Sequence, residues 1–192
     1  MGIGGGNPLS ARSRAVFLDR DGVLNEALVR DGRPYPPPTL SDLRIIDGVP
    51  AGLARLKELG YVLLVVTNQP DVARGTQTMA AIDEMHRTLG ERLPVDEFLV
   101  CPHDDGEQCR CRKPLPGLLL DAASRRGIDL GQSFMVGDRW RDVDAGRAAG
   151  CRTVFIDYGY RERGPSVEPD ARVKSPAEAV EWIVGQENNE RY

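Results

Sequence analysis

Two carboxylates, two residues apart at the end of an apolar run, are the clearest indication of chemistry in this chain. Residues 15–18 are apolar, and Asp19, Asp21 and Gly22 follow them. Side chains at i and i+2 of an extended segment point the same way, so both carboxylates can face one reacting group. Such a pair needs a cation nearby, and Mg²⁺ prefers oxygen ligands. The pair predicts phosphoryl transfer, with one carboxylate as nucleophile and the other as proton carrier.

An acidic turn is the alternative for the same residues, because Asp beside Gly is common for local hydrogen-bonding reasons. Three further polar groups favour the chemical interpretation, since each follows an apolar or loop segment later in the chain and an acidic turn does not require them. These groups are Thr67 with Asn68 and Gln69, Arg112 with Lys113, and Asp138. Together they predict a site assembled from distant parts of the chain.

The composition excludes several classes of protein. The chain has 192 residues, 41% of them hydrophobic, which is enough for one core, and its net charge is −4. The 25 basic and 29 acidic residues are interspersed, so no basic stripe indicates nucleic-acid or membrane binding. The first ten residues do not resemble a secretory signal, and no apolar stretch reaches the ~18 residues of a membrane span. We expect a cytoplasmic protein that acts as a monomer on a small molecule.

Strand and helix patterns alternate along most of the chain. Apolar runs predict strands at 15–18, 61–67, 97–101, 133–136 and 153–156, and helical patterns lie between them, several ending at Gly or Pro. A capping box at 175–178 predicts the start of the last helix. This alternation predicts an α/β fold with a doubly wound, mostly parallel sheet. The polar groups fall at the carboxyl ends of the predicted strands, where such sheets bind ligands.

Three segments depart from this alternation. Residues 1–12 are glycine-rich and predict a disordered tail, which leaves 13–186 as a single domain. Residues 25–40 contain four prolines and predict a loop or flap beside the carboxylates. Because this segment is too short to form a separate cap domain, we expect an open site. Residues 158–173 predict a long loop, for which the sequence indicates no function.

The polar groups, taken in order, resemble the motifs of the haloacid dehalogenase superfamily of phosphohydrolases. The resemblance rests on Phe17 to Val23, Val65 to Gln69, Cys111 to Pro114 and Met135 to Arg139, and it covers residues 14–156. The combination is far more specific than any one motif. It implies a Rossmann-like phosphatase domain without a separate cap.

The resemblance also implies a role for each residue of the site. Asp19 would attack phosphorus to give an aspartyl phosphate, and Asp21 would protonate the leaving oxygen and then accept a proton from water. Thr67 and Lys113 would bind the phosphoryl oxygens. Mg²⁺ would be held by Asp19, by Asp138 and by the main-chain carbonyl of Asp21. Asp142, four residues after Asp138, is expected to support these ligands.

A second metal site is predicted by a loop rich in cysteine. Three thiols and one imidazole occur within eleven positions, at Cys101, His103, Cys109 and Cys111. Such a set predicts a structural Zn²⁺, because four protein ligands leave no position for substrate. A disulfide is the alternative, although a chain without a secretory signal is expected in a reducing compartment. The metal would fix Arg112 and Lys113, which follow the last ligand.

Two other residues receive simpler interpretations. Cys151 lies beside an apolar strand and is expected to be a packed core thiol. His86 lies in a helical pattern among charged neighbours and is expected to be solvated.

Within the superfamily, the cysteine-rich loop is similar to that of the heptose-bisphosphate phosphatases and of the histidinol-phosphate phosphatases. Residues 67–75 and 113–117 look more like the heptose family. That resemblance implies hydrolysis of the 7-phosphate of D-glycero-D-manno-heptose 1,7-bisphosphate. The residues expected to bind substrate are Arg20, Asn68, Gln69 and Arg112.

One departure from the heptose family leaves the substrate open. Pro70 and Asp71 follow Gln69, where the family has Ser-Gly, and Asp71 adds negative charge near an anionic substrate. Histidinol phosphate, or another small phosphorylated metabolite, is the alternative substrate. A catalytically silent, zinc-stabilised binding module is the alternative from another class, but none of the expected catalytic residues is missing.

Overall fold

Strands and helices alternate along residues 12–189, which are the residues that the computed structural model describes. The strands are β1 (Ala15–Leu18), β2 (Leu28–Arg30), β3 (Arg33–Tyr35), β4 (Val62–Asn68), β5 (Glu97–Cys101), β6 (Phe134–Gly137), β7 (Arg152–Ile156) and β8 (Ala171–Val173). The α-helices are α1 (Val49–Glu58), α2 (Met79–Arg92), α3 (Gly117–Arg126), α4 (Trp140–Ala149) and α5 (Pro176–Asn189). Apart from Arg12, the predicted tail lies outside the described residues.

Six strands form one parallel sheet in the order β5-β4-β1-β6-β7-β8. Strand β1 lies near the middle, and all four of its residues are buried. Both faces of the sheet are covered, which explains why its strands appear in the sequence as continuous apolar runs rather than as alternating patterns. The predicted doubly wound, mostly parallel α/β fold is confirmed.

The alternation of side chains along β1 separates two apolar clusters. Val16 and Leu18 belong to the larger cluster, which also contains residues of α1, α2 and α5. Ala15 and Phe17 belong to the smaller cluster, which contains residues of α3 and the last residue of α4. Apolar clusters thus pack against both faces of the central strand and fix the position of its carboxyl end.

Helix ends follow the local signals in the sequence. Helices α3 and α4 both end at a glycine with positive φ, Gly127 and Gly150, which relieves the strain that other residues would carry there. Helix α5 begins after Ser175, whose hydroxyl accepts the Glu178 N–H at 3.2 Å. The Glu178 carboxylate accepts from the Lys174 N–H rather than from that of Ser175, so the predicted capping box is displaced by one residue.

Two short elements were not predicted. Residues 25–40 contain the antiparallel hairpin β2–β3, and the long loop at 158–173 ends in the edge strand β8. Each of these strands has three residues, too few to produce a pattern in the sequence. The described residues contain no separate cap domain, and the hairpin is the segment that covers the carboxyl edge of the sheet beside β1.

Candidate active site

Three neighbouring strands bring the predicted catalytic residues to one edge of the sheet. Asp19 follows β1, Thr67 lies at the end of β4, and Asp138 follows β6. The Asp19 N–H donates to the Val136 carbonyl at 2.9 Å, which extends the β1–β6 pairing to the first catalytic residue. Each side chain is therefore placed by sheet hydrogen bonds rather than by a free loop.

Lys113 enters this edge from the loop before α3 and is 2% exposed. Its Nζ lies 2.9 Å from Asp19 Oδ1, 2.6 Å from Asp142 Oδ1 and 2.6 Å from the Val66 carbonyl oxygen. Burial would lower its pKa, but the negative charges of Asp142 and Asp19 outweigh burial and raise it. Lys113 is a fixed, permanently charged ammonium beside Asp19.

Asp19, Asp138 and Asp142 form a buried group that we call the carboxylate cluster, with one oxygen of each within 4.8 Å of the others. Both carboxylate oxygens of Asp138 are buried and form no hydrogen bond within 3.5 Å among the described residues, although the Tyr160 hydroxyl lies near enough to oppose the rise in the Asp138 pKa. Burial raises the pKa of Asp138 well above its usual value and that of Asp19 to about 6. Buried oxygens without partners, beside a second carboxylate, fit a hard divalent cation such as Mg²⁺.

Two glycines allow the carboxylates to approach the backbone this closely. A Cβ at Gly22, where φ is +88°, would lie 2.0 Å from Asp138 Oδ2. A Cβ at Gly137 would lie 2.1 Å from the Asp142 Cβ. Any side chain at these positions would displace a carboxylate of the cluster.

The side chain of Asp21 lies apart from the carboxylate cluster. Its Oδ1 accepts from Arg20 Nε at 3.0 Å and from Asn25 Nδ2 at 2.9 Å, and its Oδ2 accepts from Arg20 Nη2 and Gln69 Nε2, each at 3.0 Å. Burial alone would raise its pKa, but the charge of Arg20 and these hydrogen bonds lower it. Donors from three residues therefore hold the side chain of Asp21, and its main-chain carbonyl is the group expected to bind the cation.

One sequence prediction is wrong at this point, and two residues expected to bind substrate lie outside the cleft wall. Arg20 and Gln69 are 1% and 2% exposed, donate to Asp21, and line a smaller cavity of about 180 Å³ beside the hairpin. His86 is not solvated but buried, with its ring stacked on Phe98 at 4.5 Å between centroids. Asn25, also buried, was missed, although it is a polar residue within the turn that follows the two aspartates.

A cleft of about 380 Å³ opens above the carboxylates. Its wall includes Asp19, Asp21, Thr67, Asn68, Arg112 and Lys113 together with residues of the hairpin from Arg33 to Pro36. The Asn68 side chain donates to the Lys113 carbonyl at 2.9 Å and accepts from the Lys113 N–H at 3.1 Å. Asn68 therefore joins β4 to the loop that carries Lys113.

The cysteine loop, residues 101–111, brings its four predicted ligands together. One atom each of Cys101, His103, Cys109 and Cys111 lies within 4.8 Å of the others, and all the cysteines are free thiols. His103 Nδ1 is 3.2 Å from Cys111 Sγ, and Cys101 Sγ is 3.8 Å from Cys109 Sγ. Soft sulfur and nitrogen ligands in this arrangement suit a tetrahedral transition metal. Cys151 is buried in the core, as expected.

Ion pairs connect the cysteine loop to the cleft. Arg112 donates from Nε to Asp105 at 2.8 Å and from Nη1 to the His103 carbonyl at 3.1 Å. Arg74, which also lines the cleft, forms two bonds to Asp104 at 2.7 and 2.6 Å. The position of Arg112 in the cleft wall thus depends on the fold of this loop.

Comparisons with known proteins agree with the geometry. A family model described as HAD-hydrolase-like matches residues 110–180. A D-glycero-beta-D-manno-heptose-1,7-bisphosphate 7-phosphatase from Yersinia pestis is 40% identical over 154 residues, which cover 74% of this chain and 79% of that protein. The enzyme of the same name from Escherichia coli (strain K12) is 34% identical over 182 residues, covering 88% and 87%.

Solved structures give the same result. The D,D-heptose 1,7-bisphosphate phosphatase from B. bronchiseptica, complexed with magnesium and phosphate, has a TM-score of 0.73 at 28% identity and covers 90% of this chain and 99% of that one. The corresponding phosphatase from Burkholderia thailandensis has a TM-score of 0.61 at 26% identity, covering 89% and 99%. With its carboxylate cluster, its buried lysine and these relatives, the chain belongs to the haloacid dehalogenase superfamily and is a phosphatase of that superfamily.

Proposed function

We propose that this enzyme hydrolyses the 7-phosphate of a D-glycero-D-manno-heptose 1,7-bisphosphate. The names of the similar enzymes support the substrate, and one observation supports the reaction: the buried ion pair of Asp19 and Lys113 lies beside the partnerless carboxylate of Asp138. A nucleophile, a fixed positive charge and a set of hard oxygen ligands are the groups that phosphoryl transfer requires.

In the proposed reaction, Asp19 is the nucleophile. Its carboxylate oxygen bonds to phosphorus while the bond from phosphorus to the sugar oxygen breaks. Asp21, which must first take up a proton despite the Arg20 ion pair that lowers its pKa, gives that proton to the sugar oxygen. Asp21 then removes a proton from a water molecule, which attacks the aspartyl phosphate and releases inorganic phosphate. Asp19 is regenerated, and Asp21 is protonated again for the next turnover.

The remaining residues stabilise charge. Asp19, Asp138 and the main-chain carbonyl of Asp21 would hold Mg²⁺, which neutralises the phosphate when it is bound. Lys113 and the Thr67 hydroxyl bind the phosphoryl oxygens. Asp142, through its ion pair with Lys113 at 2.6 Å, keeps the ammonium directed at Asp19.

The cysteine loop would hold a structural Zn²⁺. The convergence of four soft ligand atoms supports a shared metal over a disulfide, because a disulfide uses two thiols and leaves the imidazole unexplained. The metal would keep Arg112 in the cleft wall, where its guanidinium and the Asn68 side chain meet the sugar bisphosphate.

A single domain over residues 13–186, acting as a monomer in the cytoplasm, completes the proposal. None of the helices formed by residues 12–189 is both long enough and apolar enough to cross a membrane. The open cleft lies within one chain and needs no second subunit to supply the proposed catalytic residues.

Phosphate release with and without Mg²⁺ tests this function. The substrates are the heptose bisphosphate, a heptose monophosphate and histidinol phosphate, and the control is Asp19→Asn. We expect Mg²⁺-dependent release with the largest kcat/KM on the bisphosphate, at least about tenfold above the others. A preference for histidinol phosphate would overturn the substrate, and release that is independent of both Mg²⁺ and Asp19 would overturn the reaction.

A further inference from the structure

His86 is a buried titratable residue that the proposed reaction does not use. It lies in α2 and outside the cleft wall, and its Nε2 is 3.2 Å from Arg20 Nη1. Arginine has only donors, so Nε2 must be the acceptor, and the ring is neutral with its proton on Nδ1. The stacked ring of Phe98, 11° from parallel, fixes the plane of the imidazole.

Arg20 connects His86 to the proton carrier. Its Nε and Nη2 both bind the Asp21 carboxylate at 3.0 Å, and its side chain is 1% exposed. A bidentate pair fixes the plane of the carboxylate only as far as the guanidinium itself is fixed. The Nη1 group faces away from Asp21, and the acceptor that holds it is His86.

We propose that His86 is a positioning residue for proton transfer: by accepting a hydrogen bond from Arg20 Nη1, it orients the guanidinium that holds the Asp21 carboxylate. This inference rests on the proposed role of Asp21 as general acid and base. His86 does not touch the substrate in this arrangement and acts through Arg20 alone.

The surroundings of His86 suit a hydrogen-bond acceptor better than an apolar side chain. Burial and then the charge of Arg20 lower its pKa to about 4, so the lone pair on Nε2 is available at neutral pH. A leucine or phenylalanine would pack against Phe98 as well, but it would leave a buried guanidinium N–H without a partner. The imidazole supplies both the flat packing surface and the acceptor.

The leaving group of the substrate distinguishes positioning from a structural role. A sugar alkoxide needs the proton of Asp21 when it departs, whereas the phenolate of p-nitrophenyl phosphate needs little protonation. Damage to Asp21 positioning should therefore lower kcat on the sugar phosphate more than on the aryl phosphate. A general loss of folded enzyme would lower both rates equally.

The experiment compares kcat on heptose bisphosphate and on p-nitrophenyl phosphate for four Mg²⁺-loaded variants. His86→Phe keeps a stacking ring without an acceptor, and His86→Gln restores an acceptor. Asp21→Asn gives the full effect of losing proton transfer, and Leu89→Ala, on the same helix, disturbs packing without removing a hydrogen-bonding group. Thermal melting verifies folding, and His86→Leu replaces His86→Phe if that variant does not fold.

We expect His86→Phe to lower kcat on the sugar phosphate at least about tenfold more than on the aryl phosphate, with KM nearly unchanged. His86→Gln should restore most of this difference, and Leu89→Ala should show none. Equal losses on both substrates, or no loss, for His86→Phe would overturn the inference while Asp21→Asn still discriminates between them. If Asp21→Asn itself does not discriminate, the proposed role of Asp21 fails, and the inference fails with it.

Discussion

The carboxylate cluster and the cysteine loop both gather metal-ligating atoms, but the chain holds them in opposite ways. Asp19 and Asp138 follow central strands, Asp142 lies in the first turn of α4, and Lys113 forms ion pairs with Asp19 and Asp142. In the cysteine loop, only Cys101 belongs to a strand, and Cys109 and Cys111 are partly exposed. The sheet positions the first set of ligands, whereas in our proposal a bound metal positions the second.

The difference shows how one fold can separate catalysis from stability. Removing Mg²⁺ should leave the carboxylate cluster in place, because its residues are held by buried neighbours. Removing the metal of the cysteine loop should release the loop, because it has little apolar core of its own. The following predictions test this contrast, from the largest expected effect to the smallest.

Asp19→Asn should abolish turnover and leave the fold intact. The amide has nearly the same shape but is not a nucleophile, so kcat should fall at least about 10⁴-fold. Circular dichroism and thermal melting should resemble those of the wild type, since the strands keep the residue in place. Phosphate release at more than about one per cent of the wild-type rate would show that another group attacks phosphorus.

Cys109→Ser should have the opposite effect to Asp19→Asn, because it affects the stability of the protein more directly than the rate of catalysis. Elemental analysis should show loss of the bound transition metal, and residues 102–112 should become sensitive to proteolysis. We expect the free energy of unfolding to fall by about 4 kcal/mol, well below the ~10 kcal/mol or more that zinc binding supplies to small structural sites. Such a loss would lower Tm by about 10 °C. Activity should fall as well, because Arg112 and Lys113 follow the loop.

Cys151→Ala is the matched control for this prediction. Cys151 is a buried thiol in the smaller apolar cluster, outside the cysteine loop. Its replacement should retain the metal and the protease resistance of the loop. If both variants behave alike, the loop does not depend on a metal, and the contrast between the two regions is lost.

His86→Gln should remove the part of the pH dependence of the free energy of unfolding that comes from His86, which lies outside the cysteine loop. Burial and Arg20 lower the pKa of His86 from 6.5 to about 4. Between these values the unfolded chain binds more protons, so the free energy of unfolding falls as pH falls, by about 3 kcal/mol in full. Urea unfolding at pH 7 and pH 5.5, with elemental analysis to verify that the loop metal stays bound at both values, should show a weaker pH dependence in the variant. An unchanged dependence would assign it to other groups.

The sequence predicted the strands of the sheet far better than the environments of the buried residues behind the active site. Continuous apolar runs are local signals, so β1 and β5 were predicted with the bounds that the structure shows, and glycines indicated that several helical patterns end there. The motifs also located Asp19, Asp138 and the cysteine loop, because their chemistry depends on residue type and spacing. Strand β8 and the hairpin were not predicted, since strands of three residues are too short to show a period.

The errors concern residues whose role depends on burial. His86 has charged neighbours in sequence, yet packing of α2 against β5 buries it beside Arg20. Arg20 was expected to bind substrate, and in the structure its guanidinium is paired with Asp21. Asp71 lines the cleft and is paired there with Arg74 at 3.4 Å. Tertiary packing determines the surroundings of His86 and Arg20, and no local pattern in the sequence contains it.

Asn68→Ala should produce the smallest effect and sharpen the comparison most, because Asn68 connects the two regions. Its side chain holds the Lys113 backbone through two hydrogen bonds, while the cysteine loop holds the same segment through Cys111. Losing both bonds should cost about 2 kcal/mol of stability and lower kcat about tenfold. Kinetics on Asn68→Ala, Cys109→Ser and the double variant measure the coupling. A non-additive double variant would show that the sheet and the metal position Lys113 jointly, whereas additive losses would mean that each region acts alone.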